Sequence, residues 1–228
     1  MAVFQRARSQ EQREARRSAI LATAAAMLAE MPAADVTLNE LSRRAGLAKS
    51  NVLRYFETRE AVLLELLDSA GQDWLGQLDR ELAAAVGPAA PVTVRAGQLA
   101  AVTAASLAAR PMLCDLVGTQ AAVLERNVSP DVAARYKRAS LAAITALSVL
   151  MLRCIPELGA QDAVKLAGVT MMMTGALWPH AQPSAAMLAA YQTDPDLAAA
   201  RLDFTATIGE VLEVMSLGLL ARGAALTG

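Results

Sequence analysis

The sequence predicts an all-α chain in two parts, an N-terminal three-helix unit with a helix-turn-helix and a larger C-terminal helical bundle. Three observations carry that prediction. Hydrophobic residues make up 55% of the 228 positions and aromatics only 4%, so the apolar content is mainly Ala, Leu, Val and Met, a mixture suited to packed helices. Apolar residues recur at i, i+3 and i+4 through most of the length, with breaks at Pro and Gly. Charge is unevenly placed: the chain carries −1 overall, yet residues 1–60 hold 10 Lys/Arg against 7 Asp/Glu and the remainder 11 against 15.

Residues 1–15 form a polar, charged arm expected to fray when alone. Arg6 and Arg8 are candidates to follow a DNA groove, and a solvated tail is the alternative. A first helix over about 18–30 presents Ile20, Leu21, Ala24 and Leu28 on one stripe and ends before Pro32. Thr37 with Glu40 makes a capping box, so a second helix begins near Leu38, with Leu38, Leu41 and Ala45 on one face. Gly46 stops it by permitting a left-handed turn, and Leu47 fills the angle that follows. Val52 and Phe56 anchor a third helix, which leaves Lys49, Ser50, Asn51, Arg54 and Tyr55 as a donor-rich outer side. Ser42, Gly46 and Val52 supply the small residue, the turn and the apolar anchor that a helix-turn-helix requires. Thr37, Arg43, Lys49, Ser50, Asn51, Arg54 and Tyr55 are therefore the candidate contacts to double-stranded DNA. The bland alternative is a helical hairpin with a basic surface. Local cations, rather than the overall charge, decide phosphate attraction, and they lie beside this motif.

The order of these pieces resembles the tetracycline-repressor (TetR) family of bacterial transcriptional regulators. Arg17-x-x-Ile20-Leu21-x-x-Ala24 is similar to the family's first helix, and Asp35-Val36-Thr37 followed by Leu41-Ser42-x-x-Ala45-Gly46-Leu47 to its second helix and turn. Residues 55–63 resemble the junction from recognition helix to a long fourth helix. Three positions depart from the pattern. Ala48 stands where the family usually caps the recognition helix with Ser or Thr, Ser50 replaces a common Gly, and Leu53 replaces a phosphate-contacting Tyr. The resemblance implies an operator-binding homodimer joined by its last two long helices, a repressor released by a small hydrophobic effector.

Thr58 caps the fourth helix, which runs toward Ala85 with Val62, Leu63, Leu66, Leu67, Trp74, Leu75 and Leu78 as its apolar positions. The segment 87–91 breaks the pattern, while the domain division expected is 1–60 for DNA binding and 61–228 for regulation and dimerisation. Further helices are expected near 92–109, 111–126, 130–154, 161–178, 184–192 and 198–222. No Asp, Glu, Lys or Arg falls between Lys165 and Asp194; Pro179 and Pro183 argue against a membrane span there, so burial against both the chain's own core and a partner is the expectation. In the last helix Phe204, Ile208, Val211, Leu212 and Met215 form a stripe assigned to dimerisation, and Gly209 and Gly218 are read as permitting close helix approach. Trp74, Cys114, Gln120, Met173 and Trp178 are candidates to line an effector pocket, with simple core as the alternative.

No apolar leader follows the N-terminus, so a cytoplasmic location is expected. Cys114 and Cys154 match no metal spacing and read as buried reduced thiols; no metal or cofactor is expected. An enzyme would have to use His180, the only histidine, with one of those thiols as nucleophile, and no signature places them together. The competing non-enzymatic reading is a helical dimerisation scaffold that has lost DNA binding.

Overall fold

The computed structural model describes residues 2–121 and 124–227, with side chains from residue 10 to 121 and from 124 to 225. Among the described residues there are eleven α-helices and no strand: α1 Ala2–Leu28, α2 Leu38–Arg44, α3 Lys49–Val52, α4 Arg59–Ala85, α5 Val92–Ala108, α6 Pro111–Gln120, α7 Pro130–Cys154, α8 Gly159–Ala181, α9 Ala185–Thr193, α10 Pro195–Ala199 and α11 Phe204–Thr227. They form two compact units. The first runs to Ser69 and takes in Thr119–Tyr136; the second comprises Ala70–Gly118 and the chain from Lys137 onward.

In the first unit, Ile20, Ala24 and Met27 of α1 are buried together with Val36, Leu41, Val52, Phe56, Val62 and Leu63. Arg17 does what its neighbours do not. Its Nε donates to Glu65 at 3.0 Å, its Nη1 to the Tyr55 carbonyl at 3.0 Å, and its guanidinium lies 4.4 Å from the centre of the Phe56 ring. Arg59 likewise donates to the carbonyls of Ala34 and Val36, holding the chain that enters α2. The first helix differs from expectation: it begins at Ala2 rather than near Ser18, because the run through Gln5, Arg6, Gln12, Arg13 and Arg16 consists of good helix formers. The side chains of Arg6 and Arg8, the candidate groove followers, lie outside the described residues.

The second unit is organised around α11, which packs chiefly on α5 and then on α8. Arg95 of α5 is buried and donates to the Cys154 carbonyl at 2.8 Å, to the Ala90 carbonyl at 3.0 Å and to Glu157 at 3.1 Å, tying both ends of that region to the close of α7. The same guanidinium holds the Glu157 carboxyl below its ordinary range. Helix α8 continues through Trp178 and Pro179 to Ala181 instead of ending at 178. A proline cannot donate to the carbonyl four residues back. Here that carbonyl, of Gly175, lies against Gly118, where a Cβ would come within 3.3 Å of both the Gly175 oxygen and Pro179 Cγ. The close approach is thus between α6 and α8. Gly218 has open space where a Cβ would go, and Gly209 meets only Ala104 at an ordinary 3.5 Å, so neither is a site of forced approach.

Two other boundaries move. Helix α6 stops at Gln120, and the segment expected to be one helix from 198 is divided by two caps. Asp194 accepts from the amides of Asp196 and Leu197 to start α10, and Asp203 accepts from the Ala206 amide at 2.9 Å to start α11. Over Phe204–Ala225, α11 is long and apolar enough to cross a membrane, a feature expected, if anywhere, between 165 and 194. One side of it is buried within the unit, through Phe204, Ile208, Leu212 and Leu219.

Candidate nucleic-acid interface

The interface is built from α2 outward. Thr37 Oγ1 accepts the Glu40 amide at 3.2 Å, which caps α2. Glu40 does not return the favour as a capping box would; its carboxylate receives Arg43 at 2.6 and 2.8 Å and Arg44 at 2.8 Å. Those hydrogen bonds, Arg43 first, hold the Glu40 carboxyl down to about 2. Arg44 also reaches Glu30 at 2.6 Å. Arg43 remains 71% exposed, so it faces solvent while already paired.

Helix α2 ends in a Schellman turn. The Leu47 amide donates to the Ser42 carbonyl at 3.0 Å and the Gly46 amide to the Arg43 carbonyl at 3.2 Å, with Gly46 at φ +65°. Ser42, buried, turns its hydroxyl back onto the Leu38 and Asn39 carbonyls at 2.8 and 3.0 Å. The space around Gly46 is open, so backbone conformation alone selects glycine there. Gly46→Ala should therefore cost about 1–2 kcal/mol, the left-handed penalty for a residue with a Cβ. Urea unfolding followed by circular dichroism measures it, and no loss of stability would show that the turn relaxes.

Helix α3 is shorter than expected. Ala48 gives it no side-chain cap and it ends at Val52; the Arg54 and Tyr55 amides then bond three residues back, to the Asn51 carbonyl at 3.3 Å and the Val52 carbonyl at 2.9 Å. Arg54 and Tyr55 consequently sit on a tight turn after the helix instead of on its last turn. Lys49, Ser50, Asn51 and Arg54 are exposed and Tyr55 is half-buried, with Val52 and Phe56 as the buried anchors. Leu53 is 41% exposed on the same stretch.

Three side chains outside the predicted set adjoin this surface. Gln12, Arg13 and Arg16 of α1 line a concavity of about 450 Å³ together with Arg54 and Tyr55, and Arg16 also borders an adjoining one of about 320 Å³ with Leu47, Asn51, Arg54 and Tyr55. The signal was the spacing Arg13, Arg16 on a helix whose extent was underestimated.

The other candidates resolve differently. Trp74 is buried and its indole N–H donates to Ser106 Oγ at 3.2 Å. Cys114 donates its thiol to the Leu107 carbonyl, and burial pushes that thiol up to about 12; burial raises Cys154 as well. Neither thiol is poised as a nucleophile. Trp178 meets Phe204 edge-on, with ring centres 5.1 Å apart at 89°. Met173 is half-buried on α8, while Gln120 belongs to the first unit and donates to Glu125 at 2.8 Å. The dimerisation stripe needs correction. Phe204, Ile208 and Leu212 are buried inside their own chain, with Val211 and Met215 half-buried beside them, because α11 must cover α5 and α8 before it can meet anything else. Val214, at 64% exposure, marks the outward side.

Residues 20–66 match the family model described as bacterial regulatory proteins of the tetR family, and residues 68–223 match the tetracyclin repressor-like C-terminal domain. The HTH-type transcriptional regulator EthR of Mycobacterium tuberculosis (strain ATCC 25618 / H37Rv) is 45% identical over 53 residues, covering 23% of this chain and 24% of EthR; EthR of Mycobacterium bovis matches equally. The aligned region thus spans about a quarter of these curated relatives. Among solved structures, a tetR-family regulator from Streptomyces coelicolor has a TM-score of 0.58 at 14% identity, covering 93% of this chain and 83% of that one. A TetR regulator from Rhodococcus sp. RHA1 has a TM-score of 0.54 at 15% identity, with 92% and 97% covered. The fatty acid degradation regulator FadR of Bacillus halodurans has a TM-score of 0.53 at 15% identity, with 87% and 97% covered. These structural likenesses establish a shared fold.

Proposed function

The chain belongs to the TetR family of DNA-binding bacterial transcriptional regulators, and from that premise we propose that it is a cytoplasmic, homodimeric repressor, released from its operator by a small hydrophobic ligand. The observation that carries the reading is the cluster of Lys49, Ser50, Asn51 and Arg54, all exposed and rigidly placed by the Schellman turn at one end and Val52 and Phe56 behind. Short hydroxyl and amide groups suit base edges in the major groove, which assigns base reading to Ser50 and Asn51. Lys49, Arg54 and Tyr55 anchor phosphates, Thr37 orients α2, and Arg43 exchanges Glu40 for phosphate on binding. DNA recognition is assigned to residues 1–60 and regulation and dimerisation to 61–228. No catalytic step is assigned.

A two-fold dimer presents two such segments to half-sites roughly 34–36 Å apart, one turn of DNA. The outward sides of α8 and α11 suit a second copy: Val164, Met172 and Ala176 recur at helical spacing on α8 and are exposed, as are Val214, Gly218 and Ala221 on α11. A ligand releases the operator by binding the DNA-incompetent dimer more tightly than the competent one. Helix α4, which has residues in both units, is the proposed carrier of that change.

Selection of bound fragments from a random DNA pool tests the reading. A palindromic motif is expected, and Asn51→Ala should shift preference at one position per half-site by about 1–3 kcal/mol. Lys49→Ala should weaken all sequences alike and reduce the salt slope by about one for each protomer. A pool that shows no enrichment would favour the scaffold reading.

A further inference from the structure

We infer that Arg13 and Arg16 of α1, with Arg54 beyond α3, form a seat for a DNA backbone phosphate flanking the bases read by α3. The inference rests on the proposed DNA-binding reading and adds residues that reading did not contain.

Geometry supplies the first support. Gln12, Arg13, Arg16, Arg54 and Tyr55 line one concavity of about 450 Å³. Among the described residues its lining is three guanidiniums, one amide and one phenol, without a carboxylate. The second concavity, of about 320 Å³, continues from Arg16, Arg54 and Tyr55 to Asn51 and Leu47, so the cationic hollow borders the candidate base reader directly. Arg13, Arg16, Arg54 and Gln12 are exposed, and among the described residues no carboxylate pairs with any of the three guanidiniums.

Contrast with the next residue supplies the second support. Arg17 is fully engaged: it bonds Glu65, the Tyr55 carbonyl and the Phe56 ring. That engagement fastens α1 to the very residues that follow Arg54. Arg16, adjacent in sequence, and Arg13, one turn earlier, thereby face the same hollow as Arg54 and Tyr55. Three like charges gathered in one hollow repel one another unless an anion joins them. Guanidiniums hold phosphate oxygens through paired N–H donors, and Gln12 and Tyr55 add neutral donors of the kind that fix register on the backbone. Leu53, exposed just after α3, brings no hydrogen-bond donor to this surface, so the cations of α1 supply the anchor there.

The test compares the full-length wild-type protein with Arg13→Gln/Arg16→Gln, using the operator selected from a random pool, with Arg13→Lys/Arg16→Lys and Arg201→Gln as charge-retaining and remote controls. Each lost phosphate contact lowers the slope of log K against log salt by about 0.9. The double Gln variant should lose about 2 from that slope per dimer, one phosphate for each protomer, bind at least about tenfold more weakly at 0.15 M salt, and select the same base motif. Ethylation interference should show phosphates flanking each half-site that matter for wild type and cease to matter for the variant. The Lys variant should keep most of the slope and Arg201→Gln all of it. An unchanged slope and footprint with a wild type that selects its operator would overturn the phosphate seat alone; an altered base motif would also overturn it, by making these residues base readers. A wild type that selects no sequence would overturn the seat and the DNA-binding reading together. Because both arginines are exposed, an unchanged circular dichroism melt is expected for the variant; should it melt early, Arg13→Gln alone, with half the slope change, decides the matter.

Discussion

Val214→Glu should separate the dimer at micromolar protein concentration while leaving each chain folded. The side chain is 64% exposed on α11, so a carboxylate there is solvated in the lone chain and buried only when a partner covers it. An unpaired carboxylate in an apolar interface costs several kcal/mol, and a two-fold dimer carries it twice. At about 1.4 kcal/mol per tenfold, dimer affinity should fall by several orders of magnitude, and operator affinity with it. Sedimentation equilibrium measures the first and a gel shift the second. Ile208→Glu is the instructive contrast: Ile208 is fully buried, so that variant should lose its cooperative melt instead of merely its partner. A Val214→Glu protein that sediments as a dimer would move the interface away from this side of α11.

Trp178→Ala should destabilise the second unit by about 3–5 kcal/mol, since it removes a large ring from close packing and leaves Phe204 without its edge-on partner. Trp178→Phe should recover much of that loss. Guanidinium unfolding at fixed pH reads both. The result also separates two roles for this residue. A ring lining an open ligand pocket would be lost at far smaller cost and would abolish fluorescence quenching by a bound hydrophobic compound; a core ring behaves as stated here.

What could be read in the sequence follows physical locality. The Thr37 and Thr58 caps, the Gly46 turn and the anchors Val52 and Phe56 depend on residues within a few positions of one another, and all five stand as expected. Capping and left-handed turns have residue-type signatures that tertiary context seldom alters. Glu40 shows the limit, because two nearby arginines outcompete a single backbone amide for its carboxylate. Arg16 and Arg17 could not be told apart, since only the position of Glu65, far along the chain, makes one a clamp and leaves the other outward. In α11 nearly every residue is apolar or small, so periodicity carries no information about which side turns inward; packing on α5 decides it. Pro179 was read as a stop because its accommodation depends on a glycine some sixty positions earlier. The extent of α1 was lost for a different reason, as a polar helix has no apolar stripe to announce it.

Residues 119–136 lie within the first unit, and this bears on how such a regulator can be rearranged. Leu124, Val132 and Tyr136 are buried there, and the Ser129 amide donates to Glu57 at 2.6 Å just after Phe56. A head cut off after residue 60 would expose the surfaces these residues cover and lose the bond that steadies the junction. Modular exchange, in which one regulator's reading head is spliced onto another's sensor, therefore needs two grafts here, the leading segment and the excursion that returns to it. A single crossover should yield a head that is soluble only at a cost in cooperativity, whereas a chimera carrying both pieces should melt as sharply as the parent.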